Sequence, residues 1–513
     1  MASRDERQPL LIPRQDDQVD HEDEYWQLPQ DGFVRADRVT IFVLLALIVI
    51  TKTLGSSLYN TAIYSVEYNI NCRHYLPNST ADLPMLCHSD EANAEFFTIE
   101  TWKGYLAMLV GLLTAVPYGL AADRYSRRNL LALSIGGILI SMAGEIIIFV
   151  PLSLAGLFPN FFALRLVWLA VLFTLIGGGP FIFSALVFAI ASDVSSNVQR
   201  VVVFFLVESL VIAAAALSKP IYTTLANSNP WLAVYIGLAT TCISTILVLF
   251  LPATRDFASL AELDSRNDGT QGDNGPANAA SKLYSHGKNA AKRVVSIGRL
   301  VTIENKRLGL LLLGSFLFYM SSYSRVLTVF YLIRRLNWAL SDANLVSVVK
   351  LWVKLAVVSV VLPMTSLILN RLHYNPVQKD LWLARGIILA VVAGLVVTGF
   401  SNGRAMVITG TILLSPDSAF IPVARSLLVL FNGEQHTGLL FTLVGAMQSL
   451  SLLVGIPFLL WLFKVGSSWG AMWYGLPFFV LAILTALAGG SVANFRSRDD
   501  EAEGRQENER GTV

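Results

Sequence analysis

The sequence predicts an all-α membrane protein whose helices cross the bilayer about twelve times, six in each half. Three observations predict it. The 513 residues are 54% hydrophobic and only 14% charged, with a mean hydropathy of +0.57, whereas a soluble chain carries about a quarter charged residues. Apolar runs long enough to cross a bilayer, roughly 20 residues each, recur along the chain. Lys and Arg collect in alternate loops, the pattern of cytoplasmic loops in membrane proteins.

The runs of the first half fall at 39–66, 101–122, 129–150, 163–190, 199–222 and 231–252. Those of the second half fall at 307–332, 343–366, 380–401, 404–430, 437–463 and 469–493. The expected organisation is an acidic tail at 1–38, a first half at 39–252, a hydrophilic linker at 253–306, a second half at 307–494 and a tail at 495–513. Residues 1–38 lack the basic segment and short apolar core of a signal peptide, so the first span is expected to act as its own insertion signal. Arg124, Arg127, Arg128, Arg200 and the linker cations Lys282, Lys288, Lys292, Arg293 and Arg299 share one side with Arg496 and Arg498, whereas 151–162 and 223–230 carry no Lys or Arg. Tails and linker are therefore expected to be cytoplasmic; Arg334 and Arg335 are exceptions on the outer side. Within the linker, 264–280 reads as a flexible segment. Residues 281–306 read either as an amphipathic helix on the inner leaflet or as a solvated charge run.

Several function classes are excluded. A net charge of +2 with no basic stripe gives nucleic-acid binding no support. Three cysteines without a C-x-x-C spacing exclude a disulfide scaffold or zinc module. The motifs G-x-x-x-x-G-K-[ST] and H-E-x-x-H are absent from the sequence, so neither an ATP-driven pump nor an enzyme is expected, and no metal or cofactor. The expected partners are a small-molecule substrate and the lipid bilayer, with the chain acting as a monomer.

Ionisable groups deep in a span cost about 2.5–3.5 kcal/mol each on insertion scales and therefore face cavities or partners. The candidates are Lys52, Glu145, Glu208, Arg325, Lys350, Lys354 and Asp417. Lys350 and Lys354 are four apart and share a helix face. Any one of these groups could instead hold helices together as an ion pair. As a set, four cations against three acids lean the cavity toward an anionic or electron-rich substrate. A carboxyl taken out of water can load and release a proton near neutral pH, and Glu208, flanked by Ser209 and Ala213 to Ala216, is the first candidate. Phe318, Tyr319, Tyr323 and Trp352 read as an apolar substrate lining or as helix packing, and Cys242 as buried packing.

Between the second and third runs stands Gly119-Leu120-Ala121-Ala122-Asp123-Arg124-Tyr125-Ser126-Arg127-Arg128. A generic cytoplasmic loop explains the arginines but not Gly119 and Asp123 at those offsets. The spacing G-x-x-x-D-R-x-x-R-R resembles the signature loop of the major facilitator superfamily. Further stretches, Tyr68-Asn69-Ile70-Asn71-Cys72, Ala115-Val116-Pro117-Tyr118, Gly177-Gly178-Gly179-Pro180 and Ala191-Ser192-Asp193-Val194, resemble fungal facilitators distantly similar to proton-coupled folate transporters, many of them efflux proteins of secondary-metabolite pathways. The resemblance implies two pseudo-symmetric six-helix halves, alternating access and export of a small organic compound. Proton-coupled uptake of an organic anion and a transporter-like sensor are the alternatives. It also implies that Asp123 faces the start of the eleventh span near Thr437 and Gly438, and that Arg124 and Arg127 pair with inner-side acids, Asp193 first. Three departures stand out: Ser126 where the family has Gly, Ala216-Leu217-Ser218-Lys219-Pro220 in place of the Gly-Pro motif of drug/proton antiporters, and a second-half loop, Asn370-Arg371-Leu372-His373-Tyr374, that keeps one Arg. The tail segment Glu6-Arg7-Gln8-Pro9-Leu10-Leu11 matches an acidic dileucine signal for the vacuole, set against a plasma-membrane location.

The outer loop expected at 68–100 carries Cys72, Cys87 and the sequon Asn78-Ser79-Thr80. In an oxidising lumen such cysteines bridge and such sequons are glycosylated. Non-reducing peptide mapping should find Cys72 linked to Cys87, and enzymatic deglycosylation should shift the mobility of the chain through Asn78. Two free thiols, or an unshifted band, would contradict this.

Overall fold

The computed structural model describes residues 35–75, 90–153, 164–226, 229–252, 306–336, 338, 340–432 and 436–493. Asn78, Cys87, the dileucine pattern, the linker from 253 to 305 and the tail from 494 lie outside the described residues, as does the side chain of Arg325. The regular elements of the described residues are all helical, because a chain in hydrocarbon must satisfy its backbone N–H and C=O groups within the segment.

Eleven helices are long and apolar enough to cross a membrane. They are span 1 (Arg38–Cys72), span 2 (Glu91–Arg124), span 3 (Arg127–Val150), span 4 (Val167–Val194), span 5 (Arg200–Ala226), span 6 (Pro230–Leu249), span 8 (Leu345–Arg371), span 9 (Pro376–Gly399), span 10 (Arg404–Asn432), span 11 (Thr437–Trp469) and span 12 (Trp473–Val492). Arg307–Tyr323 and Val326–Leu336, bent by 41° at their junction, make span 7 if taken as one.

The first two helices are longer than their apolar runs. Arg35–Tyr75 has 41 residues and Asp90–Arg124 has 35, or about 60 and 50 Å at 1.5 Å per residue, against a hydrocarbon core of about 30 Å. Much of the expected outer loop is therefore helical at 68–75 and 90–100. The extensions hold each other: Phe96 packs edge-on against Tyr64 and Tyr68 at 4.8 and 5.2 Å, and Asn71 Nδ2 donates to Ala92 O at 2.5 Å.

Packing repeats at an offset of six spans. Span 1 lies on spans 5 and 6 as span 7 lies on spans 11 and 12; span 3 packs on 4 and 6 as span 9 packs on 10 and 12. Between the halves, span 2 packs on span 11 and span 5 on spans 8 and 10. Spans 4 and 10 are also both interrupted. Span 4 contains a 3-10 turn, Phe173–Ile176, before the helix Gly179–Val194; span 10 contains another, Ser415–Ala419, before Phe420–Asn432. Gly178 lies in the left-handed region at φ 76°, which glycine adopts without penalty. The carbonyls released in span 4 find donors on span 2: Tyr118 Oη donates to Ile176 O, and Thr114 Oγ1 to Gly178 O at 3.3 Å. Span 8 carries a π turn at Val357–Val361.

Cys242 is exposed rather than buried. It shares the outward surface of span 6 with Ile243, Ile246 and Leu249; lipid is as apolar as a protein core, so nothing drives such a side chain inward. Spans 1 and 6 meet where both backbones are bare: a Cβ on Gly55 would stand 2.8 Å from Gly237 O, and one on Gly237 the same distance from Gly55 O. Gly237→Leu should force these helices apart and destabilise the protein by roughly 1–3 kcal/mol, read as a lower unfolding temperature in detergent. An unchanged temperature would show that the contact is dispensable.

Candidate functional site

The inner end of the bundle is closed by span 2 against the start of span 11. Asp123 Oδ1 accepts from the Gly438 N–H at 2.8 Å and Oδ2 from the Leu439 N–H at 3.0 Å. These amides belong to the first turn, where no intrahelical acceptor exists, and the helix dipole adds attraction for the carboxylate. Arg127, 1% exposed, spans three elements. It donates to Asp193 Oδ1 at 2.5 Å, to Ala189 O at 2.9 Å and to Thr437 Oγ1 at 2.6 Å. Gly119 permits the approach, since a Cβ there would stand 2.9 Å from Leu439 Cα and would collide with Thr442 Oγ1. Arg128 reaches Leu251 O at 3.4 Å. Arg124 does not share in this contact: it is exposed and has no ion pair among the described residues. One residue beyond Asp123, it is turned about 100° around the helix, away from span 11. Ser126 does not adopt a positive φ, since His373 is the only non-glycine residue that does so among those described, so the turn has no need of glycine.

The second half has its own inner contact, built from residues that the hydrophobic pattern did not single out. Lys379 Nζ donates to Val198 O at 2.6 Å, just before span 5. Asp380 accepts from Ser426 Oγ at 2.5 Å and lies within electrostatic reach of the buried Arg200. Lys379 and Asp380 stand at the edge of the ninth apolar run, where charges are ordinarily read as solvated. Their adjacency to a second-half copy of the signature loop was the available signal.

Midway through the bundle, Asp417 in the span 10 turn is gripped by both lysines of span 8. Lys350 Nζ lies 3.2 Å from Oδ2 and Lys354 Nζ 2.7 Å from Oδ1. Glu208 on span 5 lies within electrostatic reach of Lys354, Arg425 and Asp417. Arg425, also not singled out in the sequence, is wholly buried over the rings of Phe188 and Phe441, at 4.4 and 5.8 Å, and donates to Ser184 Oγ at 3.1 Å. A cavity of about 380 Å³ opens between span 5 and spans 7, 8 and 10, with Lys219, Lys350 and Lys354 on its wall beside Val329, Phe330 and Leu351 and no acidic side chain among its described lining residues. The wall is thus apolar with a cationic edge.

Of the expected members, Lys350 and Lys354 are among the described residues lining this cavity and Glu208 and Asp417 are not; Lys52 and Glu145 face other partners. Lys52, largely buried, sits over the Phe183 ring at 4.5 Å between spans 1 and 4. Glu145 turns toward Tyr59 and Lys103 inside the first half. Depth in a span can be counted from sequence, but the direction of the side chain around a helix packed on several sides cannot.

Two like halves, a sealed inner face and a cavity between them are the arrangement found in membrane transporters built from repeats. No protein-family model matches the chain. It is 22% identical over 477 residues to the MFS efflux pump atnC of Emericella nidulans, covering 91% of this chain and 90% of that one. It is 27% identical over 422 residues to the efflux pump ustT of Aspergillus flavus, covering 80% and 79%. Among solved structures it is similar to the human organic anion transporter MFSD10, with a TM-score of 0.58 at 15% identity, covering 89% of this chain and 99% of that one. It also matches the proton:xylose symporter XylE, with a TM-score of 0.58 at 17% identity, covering 88% and 96%. Over most of its length the chain is thus similar to fungal efflux pumps, and it shares the fold of solved transporters of the major facilitator superfamily.

Asp123→Asn removes the charge that faces the span 11 amides, an effect worth about 0.3–1 kcal/mol when exposed and up to about 2 when partly buried. In inside-out vesicles, a cysteine replacing Thr442 should become several-fold more reactive to an impermeant thiol reagent in the Asp123→Asn background, with expression unchanged. Equal reactivity with and without Asp123→Asn would refute a gating role.

Proposed function

We propose that this chain exports a small organic compound across the plasma membrane as a monomer, by alternating access driven by an ion gradient. The observation that carries this reading is the cavity bounded by span 5 of one half and spans 7, 8 and 10 of the other, behind a closed inner face. Its lysines and apolar wall suit a compound with a hydrophobic body and an anionic or electron-rich group. Likeness to the efflux pumps of Emericella nidulans and Aspergillus flavus supports outward transport. Asp123, Arg127 and Asp193 serve as the inner gate, and Glu208 links substrate movement to protons. The lysine-rich wall also favours a second reading, uptake of an organic anion, and the acidic dileucine pattern favours the vacuolar membrane. The location of a tagged full-length chain and the direction of transport separate these readings.

In a strain lacking the chain, the transported compound should build up inside the cell, and the restored chain should return it to the medium. In vesicles, Glu208→Gln should abolish accumulation driven by a pH gradient yet preserve substrate exchange, because exchange requires binding and rocking but no net proton movement. Full pH-driven accumulation in Glu208→Gln would reduce Glu208 to an ion-pair member, and inward accumulation by the restored strain would overturn export.

A further inference from the structure

The outer part of the first half holds a charged cluster that the substrate cavity does not use. Lys103 on span 2 is its centre: Nζ lies 3.3 Å from Glu67 Oε2, 3.0 Å from Glu100 Oε1 and 3.6 Å from Glu145 Oε1. Three carboxyl groups from three different spans therefore share one ammonium. Tyr59 Oη donates to Glu145 Oε2 at 3.1 Å and to Met142 O at 2.8 Å, which fixes the Glu145 side of the cluster. Glu67 has no solvent exposure, and its Oε1 finds no donor among the described residues. The Glu100 carboxyl lies within electrostatic reach of that of Glu67, both being held by the same Lys103 Nζ.

A carboxylate has no hydrogen to donate. Three carboxyl groups on one ammonium leave an excess of negative charge, and like charges sharing a site resist joint ionisation, so a proton on one of them relieves the repulsion. Among the described residues the surroundings supply no second cation. Span 1 contributes Tyr59 and Tyr64, while Lys52 lies about four turns away on the same span. On the segment leading into span 4, Arg165 is engaged by Glu95 at 2.9 and 3.1 Å. Span 6 carries no Lys, Arg, Asp or Glu. No group of three His, Cys, Asp or Glu is arranged to hold a metal ion among the described residues.

We propose that Glu67, Glu100 and Glu145 around Lys103 form a proton-binding site, loaded from the outer face and separate from the substrate cavity. The route to water is short, since Glu100 and Lys103 retain 26% and 17% side-chain exposure while Glu67 behind them has none. Loading adds one proton from outer water to a carboxyl oxygen of the Glu67–Glu100 pair, and release returns it; no other bond changes. The proposal stands whether or not Glu208 carries protons, because the two sites share no residue.

The test requires no substrate. The full chain, in lipid nanodiscs at neutral pH, is examined by infrared difference spectroscopy on exchange into D2O. The wild type should show the C=O stretch of a buried carboxylic acid. That band should vanish in Glu67→Gln or in Glu100→Gln, the latter a partly exposed position at which folding is safer, and should persist in Glu208→Gln. Loss in either cluster variant, in monodisperse protein, supports the site. A wild type without the band, a band intact in both cluster variants, or one lost only in Glu208→Gln overturns it.

Discussion

The Asp123 carboxylate rests on the two amides that open span 11, and the arrangement of the inner face depends on that contact. Its hydrogen-bonding partner is the end of a helix, with the Arg127 guanidinium farther off at 3.9 Å from Oδ1. Amides of a first helical turn are satisfied equally well by water, so the contact can break during transport without leaving a buried ion unpaired, which would cost about 3–5 kcal/mol. The approach also requires bare backbone on both sides: Gly119 faces Leu439, and Gly438 faces Ala122 and Asp123. Arg127 then ties the contact inward through Asp193 on span 4 and across through Thr437. In the second half the charges are exchanged: an acid, Asp380, stands near the arginine that opens span 5, while Lys379 takes the backbone carbonyl of Val198. The two halves thus close the same face with opposite polarity.

A second constraint governs the interior. A charge in hydrocarbon must find a partner or a water-filled space, and the bundle separates its buried charges by sign. Lysines exceed acids around Asp417 and the cavity, whereas three carboxyl groups share Lys103 in the outer part of the first half. The interruptions in spans 4 and 10 supply the polar backbone for such an interior. Asp417 sits within the span 10 turn, and the released carbonyls of span 4 are capped by Thr114 and Tyr118. Discontinuous helices at corresponding places in two halves are a common way to build a site near the middle of a membrane transporter.

The spans and the signature loop were legible because hydrophobic length and charge spacing are one-dimensional signals. The outer ends of spans 1 and 2 were not: once clear of lipid, a polar helix continues only because its partner supports it, as Asn71 and Phe96 do here. Lys350 and Lys354 could be grouped from their four-residue spacing. Their joint hold on Asp417 could not, because it depends on how spans 8 and 10 face each other. The depth of Glu145 in span 3 can be counted from the sequence, whereas its direction toward Tyr59 and Lys103 cannot. Glu67, Glu100 and Lys103 lay too near the run ends to be distinguished from solvated charges, and Arg425 was hidden in an apolar segment. The separation of the Lys103 cluster from the cavity is a property of helix faces that one sequence does not carry.

Polar contacts at the start of span 11 hold the inner face shut. The direct measurement is a spin-label distance between cysteines replacing Tyr125 and Leu372, both exposed on inner loops of opposite halves, with Cys242 changed to Ser. With Arg127 in place, one short-distance population should dominate. Arg127→Leu, which removes the link to Asp193 and Thr437 together, should add a clearly longer population in well-folded protein. An identical distance distribution in the two proteins would show that helix packing alone closes the inner face, and would contradict the account.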